Sequence, residues 1–107
     1  MPFIQKIFQS NQNFVLREKI HFLYKYLEDD FSDEVWKEKF SCFSKILKYK
    51  PFKIDSTQEF LVFITRKDKR ISNSLKIQFE SKIFKIEKII DFITKKNFLV
   101  IITSRKT

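Results

Sequence analysis

The sequence predicts an all-β fold, a small antiparallel β-barrel or sandwich of about five to six strands with a short N-terminal helix. Two observations support this prediction. Apolar and polar residues alternate along several runs, as in strands with one buried face, and turn signals separate the runs about every 8–12 residues. Because 107 residues are enough for one modest core, we expect a helix and loop over 1–13 and a single β domain over 14–107.

The N-terminal helix is predicted from residues 2–9, "PFIQKIFQ", which place four apolar side chains at helical spacing after Pro2. Those side chains are Phe3, Ile4, Ile7 and Phe8. The polar run "SNQN" at 10–13 predicts a loop. Alternation of Ile20, Phe22, Tyr24 and Tyr26 within 15–27 then predicts the first strand, and an acidic loop follows at 28–34.

Residues 33–50, "DEVWKEKFSCFSKILKYK", fit two structures. One pattern is a helical stripe of Trp36, Phe40, Phe43 and Leu47. The other is a strand whose single face holds Trp36, Phe40, Cys42 and Ile46. A turn of helix over 33–39 before a strand from residue 40 would satisfy both patterns, because Ser32 followed by two acidic residues is a good helix start.

The C-terminal half holds the clearest strands. The run "EFLVFITR" at 59–66 is β-branched and aromatic, and "KDKRISNS" at 67–74 predicts a polar connection. Within 75–91, two alternating runs flank the polar triplet at 80–82, which predicts an antiparallel hairpin. The run "FLVIIT" at 98–103 is apolar on both faces, so we expect a central strand packed beside that hairpin.

The net charge of +9 favours contact with nucleic acid, but the composition weakens that inference. Gly is absent while Lys and Phe are abundant, as in proteins encoded by AT-rich genomes. We therefore expect dispersed lysines on solvated faces and weak, non-specific, salt-dependent binding to duplex DNA. No nucleophile motif, phosphate loop or paired cysteine occurs, so the sequence predicts no enzyme, cofactor or metal site. The lone Cys42 and His21 favour structural roles.

The order of these elements resembles the phage head–tail joining proteins, also called head-closure or head–tail adaptor proteins. The resemblance rests on "REKIHF", the acidic turn and Trp36 in "EDDFSDEVW", "FSCFSKI", "FLVFITR", the hairpin "LKIQFESKIFKIEKIID" and "FLVIIT". It covers about residues 17–104. Two departures are Ser81, where the family usually has a turn Gly, and Leu75, where Arg or Met is common.

The resemblance implies a structural protein of a tailed phage, prophage or gene transfer agent. Such a protein would join the ring that closes the DNA-filled head and docks the tail, with portal, adaptor and tail proteins as partners. It would be made in the cytoplasm, could be monomeric when free, and would form a ring in the particle. The resemblance also implies a strand for 40–49. The variable insertion at 48–59 would project as a contact loop whose Lys48, Lys50 and Lys53 face packaged DNA.

Two other functions remain open from the residues alone. A small basic β-barrel that binds nucleic acid would use aromatic rings interleaved with Lys. A ribosome-dependent RNA endonuclease toxin of the α/β kind would need helices across 33–50. Its nominated residues would be His21, Arg66, Arg70 and Arg105, although no motif ties them together. No apolar run reaches the roughly 20 residues that span a bilayer, so no membrane partner is expected.

Overall fold

The computed structural model describes residues 15–26, 35–48, 57–91 and 97–106, and every regular element in these ranges is a β-strand. The strands are β1 (Glu18–Tyr26), β2 (Val35–Lys48), β3 (Gln58–Arg66), β4 (Lys76–Phe79), β5 (Lys82–Asp91) and β6 (Phe98–Lys106). The predicted N-terminal helix and the predicted acidic loop lie outside the described residues.

The six strands form one antiparallel sheet that closes on itself, in the order β1-β2-β3-β6-β5-β4. Closure comes from β1, which pairs with β2 through its whole length and with β4 through His21, Phe22 and Leu23. Strand β2 also has two partners. Its residues up to Ser44 pair with β1, and those from Ser44 to Lys48 pair with β3. The predicted all-β fold is therefore confirmed.

Strand β2 decides between the two structures that the sequence allowed for 33–50. Residues 35–48 form one continuous strand, so the helical stripe is wrong, and the helical turn predicted over 33–39 is wrong for its described part, 35–39. The predicted common face is also wrong for Trp36. The register shifts between the pairs Phe22–Phe40 and Leu23–Glu38, which leaves Lys39 as a bulge. A bulge inverts the alternation beyond it, so Trp36 lies on the face opposite to Phe40.

The hairpin of β4 and β5 confirms the prediction for 75–91. Its turn is the two-residue segment Glu80–Ser81, closed by the pair Phe79–Lys82. Both turn residues have positive φ, 51° for Glu80 and 64° for Ser81. These angles belong to the turn type whose twist matches the two strands, and glycine or asparagine usually supplies them. Ser81 therefore adopts a left-handed conformation without the glycine that normally favours it.

The interior of the closed sheet holds the main core. Its members are Ile20, Phe22, Phe40, Leu61, Phe63, Leu75, Ile77, Phe84, Ile86 and Ile101. The rings of Phe22 and Phe40 stack at 4.6 Å between centroids, and Phe63 meets Phe84 edge-to-face at 5.9 Å. The link between β3 and β4 contributes Leu75 to this cluster. Aromatic rings thus fill an interior that is lined from all six strands.

A second apolar group, here called the outer cluster, lies on the other face of the sheet. It consists of the fully buried Val62, Ile64 and Val100. They alternate with the interior residues Leu61, Phe63 and Ile101, so they point away from the barrel interior. Five half-buried side chains surround them: Leu47, Phe60, Ile90, Phe98 and Ile102. The prediction of a central strand at 98–103 is confirmed, because β6 pairs with β3 on one side and β5 on the other.

Candidate functional site: the exposed end of the β1–β2 ribbon

The residues nominated for RNA cleavage are not brought together. His21 contacts Glu38 across β1 and β2, whereas Arg105 donates to Glu59 at 2.8 Å on β3 and β6. The guanidinium carbon of Arg66 lies 5.9 Å from the ring centroid of Phe98. The fourth residue, Arg70, lies in the link after β3, where it pairs with Asp68 at 2.7 Å. The endonuclease fold would also need helices across 33–50, whereas 35–48 is a strand. Nothing in the described ranges therefore supports the endonuclease interpretation.

The described residues also contain no group of three His, Cys, Asp or Glu side chains that could hold a metal ion. The acidic run at 28–34 lies outside those residues. In the same ranges no helix is long and apolar enough to cross a membrane.

Cys42 is half-buried and packs against the interior cluster. The pKa of its thiol is raised to about 11, mainly by burial and also by the carboxylate of Asp68, while the Arg70 guanidinium lowers it. A thiol with such a pKa stays protonated at neutral pH and is a poor nucleophile. This environment fits the predicted role of a small buried hydrophobe.

The most distinctive exposed surface is the end of the hairpin-like pair β1 and β2. Pairing between β1 and β4 ends at Leu23. Beyond that residue, Tyr24–Tyr26 pairs only with Val35–Lys37 among the described residues. These six positions, here called the ribbon tip, form a two-stranded extension from the closed sheet. A two-stranded ribbon gains little stability from its own packing.

The ribbon tip is rich in aromatic rings that lie beside lysines. The Nζ atom of Lys37 lies 3.8 Å from the ring centroid of Tyr26, and Nζ of Lys76 lies 4.4 Å from that of Trp36. Tyr24 and Tyr26 meet edge-to-face at 6.3 Å. Val35 is 44% exposed at the same end. Tyr26 and Trp36 thus each combine an aromatic ring with a nearby cation, which suits a protein interface or a phosphate backbone.

This surface was not predicted from the sequence. The signal available was the run Tyr24-Lys25-Tyr26 on one side of the acidic segment and Trp36-Lys37 on the other. Lysine and aromatic residues are so frequent in this chain that the run does not stand out. The bulge at Lys39, which moves Trp36 to the outer face near Lys76, is visible only from the strand register.

The predicted contact loop is only partly described. Lys48 is exposed and ends β2, whereas Lys50 and Lys53 lie outside the described residues. The predicted boundary at residue 59 is wrong, since β3 already begins at Gln58. Glu59 is a strand residue that pairs with Arg105 and lies 3.7 Å from Lys82. In the described part of the chain, lysines lie on every strand except β3.

Comparison with known proteins gives a likeness in structure but none in sequence. No family model matches the chain, and no curated protein matches it. Among solved structures, a chain in the virion of a native gene transfer agent particle superposes with a TM-score of 0.67 at 11% sequence identity. The likeness covers 89% of this chain and 98% of that one. This protein therefore shares the fold of a chain from a virion.

Proposed function

We propose that this protein is a structural component of a phage-like particle, belonging to the connector that closes the filled head and docks the tail. The observation that carries the proposal is the likeness to a gene transfer agent virion chain over 98% of that chain. It agrees with the order of sequence elements, which independently resembles head–tail joining proteins. A protein of this kind acts through contacts rather than catalysis.

The ribbon tip is the surface we assign to contact with a neighbouring virion protein. A ring requires two different patches on each subunit, because each copy meets the next head to tail. Tyr26 and Trp36 supply aromatic area of the type enriched at interfaces. The ribbon extends beyond the last β4 pair at Leu23, so it can reach a second subunit without disturbing the closed sheet.

The segment that begins at Lys48 is the second surface in this proposal. Lys48 is exposed where β2 ends, and Lys50 and Lys53 follow it in the sequence. Lysines here would favour the phosphate backbone of packaged DNA without reading its sequence. Deletion of residues 52–57 should leave the isolated domain folded with nearly the same melting temperature. The particles should then leak DNA or lack tails. Loss of folding would assign the segment to the core.

A gene-deletion experiment tests the function itself. Cells that make the particles should, without this gene, produce filled heads that lose DNA and carry no tails, and the intact gene should restore tailed particles. Trp36→Ala with Tyr26→Ala should fail to restore them, while the protein remains folded. The matched control is Phe43→Ala, which removes another exposed ring from β2 outside the ribbon tip. Full tail joining with the double variant would contradict the role of the ribbon tip but not the proposed function. Normal particles without the gene would contradict the function itself.

A nucleic-acid-binding β-barrel is the second candidate, and the lysine–aromatic pairs of the ribbon tip favour it. Bases stack on exposed rings while nearby cations bind the phosphates. Half of the phenylalanines in the described ranges are instead buried core residues, namely Phe22, Phe40, Phe63 and Phe84. Anisotropy with a labelled single-stranded oligonucleotide separates the two candidates. Sub-micromolar binding at physiological salt, lost in Trp36→Ala, would support nucleic-acid recognition over a purely structural role.

A further inference from the structure

The outer cluster lies where a closed sheet normally faces solvent. Val62, Ile64 and Val100 have 0% exposure, although their neighbours in the chain fill the interior. Side chains stand roughly perpendicular to a sheet, so neighbours in the same sheet can enclose their flanks but not their ends. Complete burial on this face therefore requires something that lies across the sheet.

None of the described elements supplies that cover. The strands all belong to the closed sheet itself. In the described link between β3 and β4, Ile71 and Leu75 pack with the interior cluster instead. No apolar residue of that link packs with the outer cluster.

We propose that residues 2–9 form an amphipathic helix that lies across the outer cluster of the same chain. This segment has an apolar stripe of Phe3, Ile4, Ile7 and Phe8, with Gln5, Lys6 and Gln9 on its other side. An eight-residue helix is about 12 Å long. The cluster and its rim span four strands, about 14 Å across, and a similar length along β3. The two apolar surfaces thus match in size.

The described chain begins beside this surface. Val15 lines one shallow hollow with Phe43 and Arg66, and another with Lys45 and Ile46. Lys45 is paired with Ile64, a member of the outer cluster. Residues 10–14 need only cross the edge of the cluster, and five residues can span about 17 Å. The polar sequence "SNQN" at 10–13 suits such a solvated connection.

Paramagnetic broadening tests this arrangement in the full chain. A nitroxide is attached at Gln5→Cys in a Cys42→Ser background, since Cys42 is the one native thiol. The chain has four valines, so valine-selective methyl labelling gives few and assignable signals. Val62 and Val100 should broaden strongly. Val35 is the internal control, because it lies ten residues along β2 from Lys45, roughly 30 Å away, and should stay sharp.

Sharp Val62 and Val100 signals would overturn the proposal, because residues 2–9 would then lie away from the outer cluster. Mixing spin-labelled chains with isotopically labelled chains identifies a second copy, since broadening would then pass between molecules. A second measurement guards against misfolding of the labelled variant. Phe3→Ser with Phe8→Ser should shift both valine signals and increase binding of an apolar dye, whereas Gln5→Ser with Gln9→Ser should do neither. Equal behaviour of the two pairs would contradict the proposal.

Discussion

Aromatic side chains have different surroundings in the closed sheet and at the ribbon tip. Inside the sheet, Phe22, Phe63 and Phe84 are fully buried and contact other rings. At the ribbon tip, Tyr26 and Trp36 lie beside lysine side chains and remain partly exposed. Stability is therefore concentrated in the closed sheet, whereas the ribbon tip is the part that we propose contacts a partner. The following substitutions measure that division, from the largest expected effect to the smallest.

Phe84→Ala should give the largest loss. Phe84 has 0% exposure and touches Phe63, so its removal leaves a cavity among rings that cannot collapse easily. We expect a decrease in the free energy of unfolding of about 3–5 kcal/mol. Urea denaturation followed by circular dichroism measures it. A loss below about 1 kcal/mol would mean that the interior is not packed as described.

Two buried threonines give a matched pair. Thr103 donates its hydroxyl to the carbonyl of Leu61 at 2.9 Å, whereas the buried Thr65 hydroxyl has no hydrogen-bond partner among the described residues. Thr103→Val should cost about 1 kcal/mol, because a buried hydrogen bond is lost. Thr65→Val should be neutral or slightly stabilising, since it removes an unsatisfied group. Equal losses at both positions, compared by thermal denaturation, would contradict the hydrogen-bond assignment.

Ser81→Gly should increase stability. Ser81 has φ of 64° in the turn between β4 and β5, and a residue with a Cβ atom pays to adopt that angle. Glycine should relieve up to about 1 kcal/mol, partly offset by its greater freedom in the unfolded chain. The control is Ser74→Gly in the link before β4, which should not stabilise the protein. A lower melting temperature for Ser81→Gly would show that the hairpin turns differently.

The titration of Cys42 gives a pH-dependent test. The folded pKa is raised from 9.0 to about 11, so the thiol binds its proton more tightly when folded. Its contribution to stability is therefore present below pH 9 and is lost as pH rises toward 11. Cys42→Ser should flatten this part of the stability profile. Rapid alkylation of native Cys42 at pH 8 would contradict a buried, protonated thiol.

Substitutions at the ribbon tip should have the smallest effect on folding. Val35 is 44% exposed, and Tyr26 pairs across only two strands. Val35→Ser and Tyr26→Ala should each change the free energy of unfolding by less than about 1 kcal/mol. Both are measured in the same urea series as Phe84→Ala. A loss at the tip as large as that at Phe84 would remove the distinction between sheet and ribbon.

The same contrast explains which features could be predicted from sequence. The β4–β5 hairpin has regular alternation up to Ile86 and a polar turn, so its pairing was predictable. Strand β2 contains a bulge at Lys39, and β5 contains one near Glu87. Each bulge inverts the side-chain pattern, so Ile86 and Ile89 both reach the interior although they are three residues apart. Local alternation cannot reveal a register shift that depends on a partner strand.

The surfaces were less predictable than the strands. Nothing in the sequence separates Trp36 at the ribbon tip from the aromatic residues of the core, because their neighbours are chemically alike. The run "FLVIIT", which is apolar on both faces, was the sequence signal that indicated the outer cluster. What covers that cluster depends on long-range packing, and periodicity within one strand carries no information about it.

A cryo-electron microscopy reconstruction of the head–tail vertex, from particles produced by cells that carry this gene, tests the proposed function most directly. We expect a ring of closed six-stranded sheets at that vertex, with each β1–β2 ribbon against a neighbouring protein and tryptic peptides of this chain in the same purified particles. Tailed particles that retain their DNA, contain none of these peptides and have another fold in the connector would contradict it.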